Sequence, residues 1–220
     1  MLFRIPRQGG KVVAKKTKQP DYHKSKRKHD ARKIMIDLYR ASTGCQTIPE
    51  DKQYWTLCNL QPDGDCVGFG SEISQILSAG LITKKNQFHG IDNNLDYILE
   101  NRKVHPDANF YHGDWKNVVK YEMAEEFNPA IIYFDTIYSI DNRDFISDLA
   151  TTMNYAAPGT FIAANAVAEK LFCQKVYYDL VYKNLYNLVW EKDKWKPIKG
   201  EYYYRSNRLM MCTLFFIHSG

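Results

Sequence analysis

With 220 residues, 45% hydrophobic and 14% aromatic, the chain suits one domain, alone or with an extension, and can bury a sizeable core. A net charge of +5 accompanies no stretch near the ~20 apolar residues of a membrane helix, and the basic N-terminus lacks the apolar segment of a signal peptide. The five cysteines are odd in number and scattered, which argues against a disulfide framework or a zinc site and for the cytoplasm or another reducing compartment.

The charge is unevenly placed. Residues 1–33 hold twelve Lys and Arg against two acids, Asp21 and Asp30, while the remainder is acidic on balance. Residues 1–29, with Pro6, Gly9-Gly10 and Pro20 and no sustained apolar period, read as a flexible basic arm, and 30–220 as the folded domain. Lys/Arg-rich residues 1–33 would attract nucleic acid by counterion release. A solvated tail serving solubility or targeting would have the same composition.

Asp30 is placed to cap a helix over Ala31–Ala41, with Ile34, Met35 and Leu38 inward and Gly44 ending it. Tyr54–Asn59 reads as the first strand. A loop rich in turn formers, Gln61–Gly70, leads to Ser71, which caps a helix over Glu72–Ser78 ending at Gly80. Gln87–Asp92 is a short buried strand, followed by helix Leu95–Lys103, which His105-Pro106 breaks. Strand Asn109–His112, helix Val118–Glu126, strand Ala130–Phe134 and helix Arg143–Tyr155 continue the alternation. Pro158-Gly159 turns into strand Thr160–Ala164, and Leu171–Tyr182 is helical. Tyr186–Trp190 and Met210–Ile217 close the chain without an intervening helix pattern, so they should be antiparallel. The expected fold is α/β: a Rossmann-like, mostly parallel seven-stranded sheet with helices on both faces and a C-terminal antiparallel pair.

Three successive strands lead into an acid: Asp92, Asp114 and Asp135. That puts three carboxylates on the rim where open α/β sheets bind ligands. Each has a plainer reading. Asp92 could cap the next helix and Asp114 could start a turn. Asp135 follows the most apolar strand, where an unpaired acid is costly, so a role in chemistry is expected of it. Tyr138 is one of 16 tyrosines and could be packing alone. His89 and His112 read as hydrogen-bonded core residues, and no His/Cys/Asp set has metal-ligand spacing.

Five βα units with a closing antiparallel pair resemble a class I S-adenosylmethionine-dependent methyltransferase over about residues 50–217. The resemblance implies an S-adenosylmethionine site. Asn59, Gly68, Gly70 and Glu72 would lie along the methionine part, Asp92 and Asn93 at the ribose, and Asp114 and Trp115 at the adenine. Asp135 and Tyr138 would face the methyl acceptor. They have the spacing of the Asp-Pro-Pro-Tyr motif of amino-methyltransferases acting on adenine or cytosine, with both prolines absent. With the basic arm, this implies a methyltransferase acting on RNA or DNA. The alternatives are a catalytically silent member of the fold that binds nucleic acid within a larger assembly, and a nicotinamide-dependent oxidoreductase. Against the oxidoreductase stand the missing G-x-G-x-x-G and the antiparallel pair.

Overall fold

The structure is a computed structural model that describes residues 26–57, 71–122, 126–139, 142–168, 183–185, 187–198, 202–206 and 209–220. The arm through residue 25, the loop 58–70 with Asn59, Gly68 and Gly70, and the expected helix Leu171–Tyr182 lie outside these residues. Five strands run parallel: β1 (Gln53–Leu57), β2 (Phe88–Asp92), β3 (Asn109–His112), β4 (Pro129–Ser139) and β5 (Phe161–Ala168). Three more follow: β6 (Trp195–Pro197), β7 (Tyr202–Ser206) and β8 (Leu209–His218). Their order is β3-β2-β1-β4-β5-β8-β6, with β7 also on β8. β8 runs antiparallel to β5, β6 and β7. The seven-strand path is the expected sheet, with one difference at its edge. Pro197 pairs with Phe216, and pairing resumes only at Tyr202 opposite Thr213, so the last strand comes in two pieces.

The strand expected at Tyr186–Trp190 is not formed by its described residues, because 187–190 turn beside the helix Arg143–Tyr155 instead. Asn154 holds them there, its amide donating to the Leu188 carbonyl at 2.9 Å and its oxygen accepting from the Trp190 N–H at 2.8 Å.

Helices cover both faces. α1 (Lys26–Thr43), α2 (Glu72–Ser78) and α3 (Leu95–Val104) enclose one core around Tyr54, Tyr133, Phe161 and Phe215. α4 (Trp115–Asn117), continued by a π-helical turn at Val118–Glu122, and α5 (Arg143–Tyr155) enclose the other around Trp55, Phe134 and Leu214. Gly80, at φ 65°, closes α2 as expected, its N–H on Leu77 and that of Leu81 on Ile76. α1 begins at Lys26, before the Asp30 cap, so the last residues assigned to the arm are helical. Its inward face is also rotated from Ile34 and Leu38: Ala31, Arg32, Met35, Ile36 and Tyr39 are the buried ones.

On the second face Trp55 stacks on His89 at 4.5 Å between centroids and on Tyr111 at 5.4 Å. Burial lowers the His89 pKa to about 4, against a hydrogen bond at Asn86. Asp148 of α5, with Lys116 Nζ 3.3 Å away, moves oppositely: burial outweighs the lysine and lifts its carboxyl to about 6. Between these values the two groups oppose one another. Unfolded histidine takes up a proton below its ordinary 6.5 and folded His89 does not, so its share of stability rises with pH. Folded Asp148 keeps a proton that the unfolded carboxyl has lost, so its share falls with pH. Each slope is at most about 1.4 kcal/mol per pH unit. Urea unfolding of His89→Phe should therefore show stability tilting downward with pH across this window relative to wild type, and Asp148→Asn upward. A common tilt in both variants would refute the assignment.

Candidate functional site

The strand registers fix the rim. Thr56 of β1 lies beside Gly90 of β2 on one side and Tyr133 of β4 on the other. Asp92 and Asp135 each stand two residues beyond these partners. They therefore sit at one level of the sheet, on the same face, flanking β1. Two strand spacings separate them, or about 10 Å.

Asp92 is half-buried at the end of β2, and burial raises its pKa against the Asn94 N–H and His112. Its Oδ1 accepts the Asn94 N–H at 2.7 Å, while Asn94 itself caps α3. The plainer reading of Asp92 as the helix cap is thus taken over by Asn94. Asn93 is exposed beside it, its carbonyl 3.2 Å from His112 Nε2. His112 is exposed too, rather than part of the core as expected, whereas His89 is a core residue.

Asp114 is exposed and caps α4, accepting the Lys116 N–H at 3.1 Å. This cap starts helical geometry at Trp115, ahead of the Val118 expected. Trp115 was expected to offer a stacking face, and the structure corrects that. Its ring is 3% exposed, packed edge-on to Phe134, with Nε1 donating to Thr152 Oγ1 at 2.7 Å. Apolar neighbours and a buried hydroxyl hold it in the core. Glu72 opens α2 and is also committed: Arg32 Nη2 lies 2.8 Å from Oε2, and the Tyr54 hydroxyl donates to Oε1 at 2.7 Å.

Asp135 does not end its strand, as was expected from the apolar run, because β4 continues to Ser139. Asp135 pairs with Asn165 and Ser139 with Val167, so β4 carries two extra residues just beyond the acid. These extra residues form a bulge, and Tyr138 belongs to the bulged stretch of backbone. Thr136 bridges it, its hydroxyl donating to the Asn165 carbonyl at 3.2 Å. The Asn165 amide donates to Asp135 Oδ1 at 2.7 Å.

Arg32 of α1 is 3% exposed, its guanidinium 5.7 Å over the Tyr133 ring and donating to Gln75 at 3.1 Å. Burial works against its charge, but Glu72, Tyr133, Tyr54 and Asp135 outweigh it and hold its pKa above the ordinary value. Asn165 and Arg32 were not singled out from the sequence. Both left a signal: Asn165 is the lone polar residue of Phe161–Ala168, and Arg32 falls in helical register with Met35, Ile36 and Tyr39. Among the described residues no three His, Cys, Asp or Glu converge as metal ligands, and no helix is long and apolar enough to cross a membrane.

No protein-family model matches the chain, and no curated protein matches its sequence. Solved structures do match its fold. The plantazolicin methyltransferase BamL, in complex with triazolic desmethylPZN analog and SAH, is 11% identical over 87% of this chain and 85% of its own, with a TM-score of 0.56. A fibrillarin/Nop5p complex is 7% identical over 86% and 82%, at 0.52. A putative rRNA-methylase from Clostridium thermocellum is 13% identical over 86% and 97%, at 0.50. Identities this low carry the architecture and nothing finer: the chain has the fold of class I S-adenosylmethionine-dependent methyltransferases.

Proposed function

We infer that the protein is an S-adenosylmethionine-dependent methyltransferase acting on nucleic acid. The observation that carries this reading is the pair of carboxylates, Asp92 and Asp135, at one level of the carboxyl rim on either side of β1. One acid is suited to the cofactor ribose and the other to the methyl acceptor. Asp92 fits the first part, since only Oδ1 is used by Asn94 and burial strengthens any further hydrogen bond. Asn93 and the exposed Asp114 would extend the same rim toward the adenine, and Asn59, Gly68 and Gly70 would serve its methionine side, with Glu72 held by Arg32 and Tyr54 at the start of α2.

When bound, the cofactor supplies a methyl group already activated as a sulfonium, so the protein's task is proximity and alignment. An exocyclic amine has its lone pair delocalised into the base. Asp135, accepting one N–H, would localise that pair and point it at the methyl. Tyr138 would hold the base by stacking, and a base in a duplex would first be flipped out. The basic residues 1–33 would bring the polyanion to the domain. One of the structural neighbours is named as an rRNA-methylase, which favours RNA over DNA.

Calorimetry with S-adenosylhomocysteine, and with NAD as the control, tests the cofactor; transfer of a labelled methyl group to RNA and DNA tests the reaction. Asp92→Ala should weaken S-adenosylhomocysteine by roughly 1.5–3 kcal/mol, the range for hydrogen bonds to a charged group. Unchanged affinity in the folded variant would remove Asp92 from the cofactor site. Tight cofactor binding without transfer to either nucleic acid would identify a silent binding subunit.

A further inference from the structure

Asn165 is an unusual residue for its place. It is fully buried in the middle of β5, between Ala163, Ala164, Ala166 and Val167, where an apolar side chain would serve packing without the cost of burying an amide. Its neighbours in the ladder are polar on both sides. Asp135 of β4 and Thr213 of β8 are its register partners, so three polar residues run across three adjacent strands at one level. Thr213 is also fully buried, and its hydroxyl donates to Asn165 Oδ1 at 3.2 Å. This defines which way the amide faces. With Oδ1 taken by a hydroxyl donor, Nδ2 points at Asp135, and the opposite orientation would set an oxygen against a carboxylate. Thr136 fastens the backbone of the same residue at the bulge.

We propose that Asn165, oriented by Thr213, is a positioning residue that holds the Asp135 carboxylate ionised and fixed in direction through its Oδ1. The proposal rests on the reading of Asp135 given above. An amide donor favours the charged form of a carboxyl group, and an amide that is itself fixed restrains the rotation of the carboxylate it holds. Other ionisable groups share this corner: Arg32 of α1, whose charge reaches Asp135, its partner Glu72 of α2, Tyr54 of β1 and Tyr133 of β4. Arg32 favours the same charged state, so Asn165 sets orientation as well as charge.

The test compares Asn165→Val, Thr213→Val and Asp135→Ala in the full chain. Asn165→Val should keep S-adenosylhomocysteine affinity while its turnover falls about 10-fold to 100-fold, the range expected when a positioned group is lost. Its carboxyl-13C titration should place the Asp135 pKa higher than in wild type by about one pH unit, and the acid limb of the rate profile should move with it. Thr213→Val should show the same change at smaller size, because its amide keeps the donor but loses the group that orients it. Asn165→Asp should exceed both, since two adjacent carboxylates share a proton. Wild-type turnover or an unmoved Asp135 titration in folded Asn165→Val would overturn the proposal. The titration decides even if no transfer is detected. If Asp135→Ala turns over like wild type, the reading of Asp135 fails instead; if Asp135→Ala is dead and Asn165→Val is fully active, only the positioning role falls.

Discussion

Asp135→Ala should lower single-turnover methyl transfer by about 10²-fold or more, the scale for losing a positioned acid–base or electrostatic group. The strand order supports so large a value. β4 is the neighbour of β1 on the side away from β2, so Asp135 lies across β1 from the acid assigned to the ribose. Loss of its carboxylate should therefore leave S-adenosylhomocysteine affinity nearly unchanged, separating it from Asp92→Ala, which acts on affinity. The fold should tolerate the change, because Asp135 is only partly buried and Asn165 retains its bond from Thr213. Tyr138→Phe refines the picture, since a stacking role needs the ring alone. Transfer at the wild-type rate by Asp135→Ala would place the acceptor elsewhere.

The second large effect concerns stability. Arg32→Met should cost roughly 3–5 kcal/mol, the range for breaking a buried ion pair from one side. Among the described residues Glu72 would be left with the Tyr54 hydroxyl and no cation, in a site where its own side chain is 13% exposed. For a domain of this size that corresponds to a fall in Tm of about 10 °C. Removing both charges in Arg32→Met/Glu72→Gln should recover part of the loss, because no lone charge then remains buried. A cost below about 1 kcal/mol for Arg32→Met would mean that the pair behaves as an exposed one. The same arginine fixes α1 to α2 and its charge reaches Asp135, so the helix that continues the basic arm also bears on that acid.

Much of this architecture was legible in the chain. The five parallel strands show as short apolar runs followed by turn formers, and Ser71 and Gly80 bracket α2 by local chemistry that needs no tertiary context. Asp92 and Asp135 were legible as acids that close apolar runs, although only Asp92 also ends its strand. The misses have tertiary causes. Trp115 looked available because it follows Asp114, yet only the fold reveals Thr152 and Phe134 around it. Residues 187–190 have the apolar content of a strand, but Asn154, more than thirty residues away in sequence, holds them in a turn. The continuation of β4 past Asp135 depends on β5 offering Val167 to Ser139, which no local pattern in Asp135–Ser139 announces. Arg32 reads as one more base of the Lys/Arg-rich residues 1–33 until α1 is packed onto Glu72.

The two margins of the sheet bear on how the protein behaves in a crowded solution. An unpaired strand edge is a template on which another chain can add, and long flat edges promote such growth. Here β3 offers four residues at one margin, and the other is broken into β6, of three residues, and β7, of five. An incoming strand would meet a change of register where Trp195–Pro197 gives way to Tyr202–Ser206, and would lose its alignment there. Joining these pieces into one continuous strand would lengthen that template, and the protein would then be expected to aggregate during refolding at concentrations the natural chain withstands.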